Sequence, residues 1–156
     1  MYFKSCFFVF ILNLLCSMGI ISAFVYEDCG STVGRYSNVS MSFCKDAAAL
    51  PYCPMKRGSD GTLEIDFLSA YDSTTLTAIV HGTIAGITFP VRLPNKNACQ
   101  NSNIECPVKG FQDYAYRSTL PILKSYVKID LGIQWALQDD ASQNIVCIKF
   151  PARIVD

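Results

Sequence analysis

The chain of 156 residues carries 13 basic against 13 acidic side chains and is 51% hydrophobic. Balanced charge without a run of either sign gives no electrostatic footprint for nucleic acid and no polybasic patch for an anionic membrane. What the composition offers instead is enough apolar and aromatic material for a β-rich core, or for the walls of a cavity.

Residues 1–23 open with Lys4, run through the apolar stretches around Phe7 to Leu12 and Leu14-Leu15, and close on the small residues Ser22-Ala23. That pattern predicts a secretory signal peptide. Asn13 and Ser17 interrupt it and nothing downstream is long enough to cross a bilayer, so no membrane anchor is expected. A single domain at 24–156 follows. Of the eight cysteines, Cys6 and Cys16 fall in the leader, leaving Cys29, Cys44, Cys53, Cys99, Cys106 and Cys147. An even set in a secreted chain predicts disulfides, with about fifteen pairings open in principle. The two short spacings suggest local closures of Cys44 with Cys53 and of Cys99 with Cys106, which leaves Cys29 for Cys147. A zinc site lacks paired C-x-x-C spacing, and no metal is expected.

In chain order, residues 33–43 read as a first strand with imperfect alternation. They contain the sequon Asn38-Val39-Ser40, which makes Asn38 a glycosylation candidate. Residues 47–50 allow one turn between two cysteines, and Gly58 to Gly61 is turn chemistry. From Thr62, Leu63, Ile65 and Phe67 alternate with Glu64 and Asp66, giving a second strand. Residues 76–84 form a third, with His81 the sole histidine, and 87–93 a fourth whose Pro90 confines it to a sheet edge. A polar loop joins Cys99 to Cys106, and a fifth strand occupies 114–120.

Across 126–138 every odd position from Val127 through Ile129, Leu131, Ile133 and Trp135 to Leu137 is apolar. The period of two predicts a long strand with one apolar face. A turn at 139–143 and an apolar run at 145–155 complete a terminal hairpin. Such a strand needs a second sheet against its face, so the expected fold is all-β, an immunoglobulin-like β-sandwich of about seven strands. Catalysis finds no support: His81 sits mid-strand with no nucleophile elbow near it, and Asp139-Asp140 is a turn pair rather than two carboxylates across a cleft. No catalytic residue and no cofactor are assigned.

The motifs Asp28-Cys29-Gly30-Ser31, the Cys44 and Cys53 pair, Val80-His81-Gly82, Gly86 with Pro90 to Pro94, Cys106-Pro107-Val108, Tyr114-Ala115-Tyr116, Leu120-Pro121-Ile122 and Trp135 through Asp140 with Cys147 occur in this order at compatible spacings. Together they make the chain similar to the Niemann-Pick type C-two sterol-transfer proteins of the ML lipid-recognition superfamily. The resemblance implies a sandwich of seven strands enclosing a lipid cavity, and the pairings Cys29–Cys147, Cys44–Cys53 and Cys99–Cys106. It places a gate at Val91, Ile122 and Tyr126; Phe89, two residues before Val91, faces the same side, and the alternating Val127, Ile129, Leu131, Ile133, Trp135 and Leu137 supply candidate walls, although the same alternation serves a solid core equally well. Where sterol binders carry phenylalanine at the first gate position, this chain has Pro90-Val91-Arg92. That narrows the aromatic gate and sets beside it a cation able to pair with a carboxylate; read alone, Arg92 is a solvated edge-strand charge.

The implied function is a non-enzymatic carrier, secreted or lysosomal and monomeric. It takes a sterol or fatty-acid-like lipid and hands it to membrane surfaces or to a membrane sterol transporter. The alternatives are a carrier of fatty acids or semiochemicals, a lipid-presenting immune or chemosensory module, and a solid adhesion sandwich with no cavity.

Overall fold

The computed structural model describes residues 26–45 and 50–156. The expected leader at 1–23 and the alanines of the turn at 47–50 lie outside them. Among the described residues nine strands form: β1 (Glu27–Asp28), β2 (Gly34–Met41), β3 (Cys53–Lys56), β4 (Ser59–Ser69), β5 (Thr77–Ile84), β6 (Ile87–Val91), β7 (Asp113–Ile122), β8 (Asp130–Gln138) and β9 (Asn144–Val155). They build two sheets. The larger runs β1-β9-β8-β5-β6 with β3 also pairing β9, and the smaller runs β2-β4-β7. All pairs are antiparallel except β3 with β9.

The long alternating segments of the sequence become the central strands. On β4, Leu63, Ile65 and Phe67 are buried while Glu64, Asp66 and Leu68 are only partly covered, so one face meets the opposite sheet. On β8 the same alternation buries Ile133, Trp135 and Leu137. β8 begins at Asp130, however, not at the expected position 126, and Val127 is 68% exposed. Its alternation continues into a segment outside the strand, where Ile129 O still accepts from the backbone N–H of Ile154 on β9 at 3.0 Å but 126–128 stand in solvent. The count exceeds seven because β1 and β3, of two and four residues, are too short for any period to show. β6 lies at the sheet margin and carries Pro90, which donates nothing to a ladder. It joins β5 through Ala85-Gly86, both at positive φ, the geometry of a tight hairpin turn that glycine enters without strain.

The disulfides join Cys29 to Cys147, Cys44 to Cys53 and Cys99 to Cys106. Cys44 ends the 3-10 turn that follows β2 of the smaller sheet, and Cys53 opens β3 of the larger, so their bridge ties the two layers together. The main close backbone approaches between the sheets lie on this same side, β2 and β4 against β9 and β3 against β4. Along the opposite margin, β6 and β7 are linked through the 94–103 segment. There Arg117 donates its backbone N–H to Ser102 O at 2.8 Å, and Asn103 Nδ2 donates to Ala115 O at 3.2 Å. The sandwich is therefore pinned along one side and side-chain packed along the other.

Candidate functional site

Register places the expected wall residues in rows across the inner face of the larger sheet. Phe89 pairs with Gly82, Gly82 with Ile133 and Ile133 with Phe150. One row along, Val91 pairs with Val80, Val80 with Trp135 and Trp135 with Ile148. One row the other way stand Ile87 against Ile84 and Leu131 against Ala152. Cross-strand partners share a face, so Phe89, Val91, Leu131, Ile133 and Trp135 all point toward the smaller sheet.

Exposure along these rows is graded. Ile87 is 73% exposed and Leu131 half-buried, whereas Ile133 and Trp135 are 4% and 3% exposed. An apolar path thus runs from solvent at the β5–β6 hairpin tip into the middle of the molecule. The 123–129 segment leaves β7 and enters β8 at this same end, and it carries Leu123, Tyr126 and Val127, all exposed. Tyr126 sits at the rim on a turn: its N–H donates to Leu123 O at 3.1 Å, and its carbonyl accepts from Arg57 Nη1 at 3.2 Å. Ile122 belongs to the opposite wall, 2% exposed at the end of β7. The structure therefore gathers five of the seven residues on one face, sets Ile122 across from them and leaves Tyr126 at the edge.

Side chains that no local pattern singled out complete the interior. The Phe89 ring covers Gly82 so closely that a Cβ there would stand 2.5 Å from Phe89 Cζ. In the smaller sheet the Phe43 ring covers Gly61 in the same way, with a Cβ meeting its Cδ1 at 2.6 Å and Ile122 Cδ1 at 3.5 Å. Phe43 and Phe150 stand 6.1 Å apart, and Tyr116 and Trp135 6.4 Å, so the two inner faces are in ring contact. Among the described residues the larger pockets open at the margins of these rows. One of about 450 Å³ runs from Tyr52 and Arg153 to Leu131 and Ala152, one of about 430 Å³ lies beside Asp130 and Arg153, and one of about 360 Å³ lies between the 94–102 segment and β7, where it reaches Tyr116. Any ligand lodged between the sheets must therefore part these rings, and the glycines behind Phe43 and Phe89 are where closely seated rings have no side chain beneath them.

Charge stays off this face. Arg92 is exposed one residue beyond β6, next to inward-facing Val91. The ion pairs Lys109–Asp72, Arg117–Glu64 and Lys149–Glu27 are exposed. Arg153 is bonded to Asp130, which raises its pKa and lowers that of Asp130, and its guanidinium lies 4.0 Å above the Tyr52 ring. Asn38 is exposed on β2, its Nδ2 donating to Asp66 Oδ2 at 3.2 Å. His81 is half-buried between Pro90 and Gln134. Among the described residues no helix is long and apolar enough to cross a membrane.

The ML domain family matches residues 23–154. The NPC intracellular cholesterol transporter 2 homolog a of Drosophila melanogaster is 36% identical over 132 residues, covering 85% of this chain and 88% of that protein. The NPC intracellular cholesterol transporter 2 of Danio rerio is 34% identical over 131 residues, covering 84% and 85%. Among solved structures, a Niemann-Pick type C2 protein from Japanese carpenter ant superposes with a TM-score of 0.79 at 29% identity, covering 85% of this chain and all of that one.

Proposed function

The chain belongs to the ML domain family, matched from residue 23 to 154, and on that premise we propose that it is a sterol carrier without catalytic activity. It takes a cholesterol-like lipid between its two sheets and releases it to a membrane or to a membrane sterol transporter. The observation that supports this most is the graded apolar path from exposed Ile87, past half-buried Leu131, to buried Ile133 and Trp135. A solid adhesion sandwich has no reason to run its inner face out to solvent. Related proteins are named as cholesterol transporters, and none of the names is that of an enzyme acting on its lipid.

Loading follows from the mechanics of the fold. The sheets are pinned on the β9 side by close backbone approach and the Cys44–Cys53 bridge. On the other side only side chains and the 94–103 segment hold them, so that side opens. Burying about ten methylene equivalents at roughly 0.8 kcal/mol each supplies about 8 kcal/mol, against which the parting of the rings and the loss of cargo freedom are set. Phe89, Val91, Leu131, Ile133 and Trp135 form one wall, Ile122 the other and Tyr126 the lip. Arg92 does not share the inward face, which removes the anchor for a carboxylate cargo and favours the sterol over the fatty acid.

The same end suits transient contact with a bilayer. Ile87, Leu123, Tyr126 and Val127 are exposed there, with Lys124 and Lys128 in the same loop. Apolar groups beside cations partition to a membrane interface, so the mouth faces the lipid that it loads. The leader at 1–23 and three disulfides fit a secreted or lysosomal monomer, and a glycan on Asn38 would stand on the solvent face of the smaller sheet.

The test is uptake of a fluorescent sterol by the purified secreted protein, with mass spectrometry of the lipid that co-purifies. One sterol per chain, and its transfer between vesicles at a rate set by protein concentration, is expected. Absence of both uptake and transfer sinks the carrier reading.

A further inference from the structure

The cavity of about 360 Å³ on the margin of the sandwich is walled mainly by neutral polar side chains. Asn97, Gln100 and Asn101 line it from the 94–102 segment, and Ser118 and Thr119 line it from β7. Ala98 and Tyr116, both buried, close its inner end. The chain itself holds these walls in place. Asn95 Nδ2 donates to Asn97 O at 2.9 Å and to Gln100 O at 2.7 Å, and Ser102 Oγ donates to Ala98 O. The Arg117 N–H donates to Ser102 O at 2.8 Å, and the Cys99–Cys106 bridge closes the loop. A wall fixed in this way loses little freedom when a ligand arrives.

We propose that this cavity binds a neutral sugar, a hexose ring whose hydroxyls are met by the amides of Asn97, Gln100 and Asn101. A side-chain amide offers a donor and an acceptor side by side, and so does each hydroxyl of a sugar. Asn97 spends its Oδ1 on the Cys99 N–H at 2.9 Å and keeps its NH₂ group, while Gln100 and Asn101 present exposed amides on the same loop. Other ligand classes fit poorly. No carboxylate lines the cavity to hold a cation, and its one cationic lining residue, Arg117, is engaged by Glu64 at 2.8 Å, which leaves no unpaired charge for a phosphate or carboxylate. An apolar ligand would strip water from the amides and give nothing in return. The C–H face of a sugar ring, by contrast, has the apolar inner end formed by Ala98 and Tyr116 to rest on. Ile87, Leu131 and Tyr126 take no part in this cavity, so the site stands apart from the lipid mouth. The inference therefore goes beyond the carrier reading and does not need it.

The experiment titrates the isotope-labelled secreted protein with glucose, galactose, mannose and N-acetylglucosamine, following the side-chain amide resonances of Asn and Gln by NMR. Glucose 6-phosphate is the charged control. At least one of the neutral sugars is expected to bind saturably in the millimolar range, and no more weakly than the control. Asn101→Ala and Gln100→Ala change exposed loop positions, and each is expected to weaken that binding about fivefold with sterol uptake unchanged. Should one variant fail to fold, the other carries the comparison. Vesicles with and without glucosylceramide or galactosylceramide separate the sources of the sugar. Retention on the glycolipid vesicles that the free sugar competes away assigns a lipid headgroup, and binding of the free sugar without retention assigns a soluble glycan. Saturable binding of none of the neutral sugars, an affinity unchanged in both variants, or a preference of about tenfold for glucose 6-phosphate overturns the proposal and leaves the carrier reading standing.

Discussion

The Phe89 ring lies on Gly82 with no space between them, a Cβ on Gly82 falling 2.5 Å from Phe89 Cζ. Phe89 hangs from the marginal strand β6 and reaches over β5, so this contact sets how far the ring projects toward the smaller sheet. Gly82→Ala must push the ring aside, and overpacking of this kind costs about 1–3 kcal/mol. Phe89→Ala removes the obstacle. The double variant is therefore expected to be more stable than the two single losses add up to, by more than about 0.5 kcal/mol in chemical unfolding. Strict additivity would mean that the ring has another resting place.

The two expected gate residues respond differently because only one of them is buried. Ile122 is 2% exposed, so Ile122→Asp places an unpaired carboxylate in the core, at a cost comparable to the whole stability of a small domain. That variant is expected to be recovered in low yield or unfolded, and its failure to bind says nothing about a gate. Tyr126 is 38% exposed on a turn held by backbone contacts, so Tyr126→Asp changes stability by about 1 kcal/mol or less. Its effect belongs to function: slower sterol uptake from vesicles with an unchanged melting temperature. Uptake at the wild-type rate would remove Tyr126 from the lip.

The architecture was legible in the sequence where burial is one-sided. The alternation around Leu63, Ile65 and Phe67, and around Ile133, Trp135 and Leu137, exists because one face meets another sheet. The pattern misled at 126–128, where Val127 keeps the period of two although it stands in solvent. There apolar side chains stand exposed on a loop rather than along a strand. The partners that complete the interior were invisible for another reason. Phe43 over Gly61, Phe43 beside Phe150 and Tyr116 facing Trp135 are joined only by the folding of distant segments, and no local spacing encodes them. β1 and β3 exist because β9 offers them an edge, not because their two and four residues favour extension.

Acid tolerance is expected from five exposed carboxylates among the described residues. Partial burial opposes it, but hydrogen bonds from the Ser31 hydroxyl and the Gly30 and Ser31 N–H groups lower the pKa of the first, Asp28. Asp72 is held by the backbone N–H of Gly110, Asp130 by Arg153, Asp140 by the backbone N–H of Thr74 and Asp156 by Lys128, and each has its pKa lowered from 3.8. A carboxylate whose pKa is depressed on folding contributes stability that is complete above its unfolded value and lost as pH falls through the folded one. The melting temperature should therefore lose nothing through these groups between about pH 7 and about pH 5, and should decline below about pH 4. High salt should soften that decline, since exposed pairs are screened. A drop near pH 5 that disappears in Asp140→Asn would assign the acid sensitivity to Asp140 and contradict the direction of its shift.

The disulfides separate stability from release. Cys29 and Cys147 are 118 residues apart in sequence, so on the chain-entropy account their bridge contributes about 4–5 kcal/mol, whereas Cys44 and Cys53, 9 apart, contribute about 2–3 kcal/mol. Removing the long bridge by Cys29→Ala with Cys147→Ala is expected to give the larger fall in melting temperature. It joins the segment after β1 to its neighbour β9 within the larger sheet, and so leaves the distance between the sheets alone. The short bridge fastens one sheet to the other on the pinned side. Its removal by Cys44→Ala with Cys53→Ala should let the layers part more readily, so that bound fluorescent sterol leaves severalfold faster in stopped-flow release despite the smaller loss of stability. If the release rate follows the melting temperature across both variants, the sheets do not open about the β9 side and the cargo leaves by another motion.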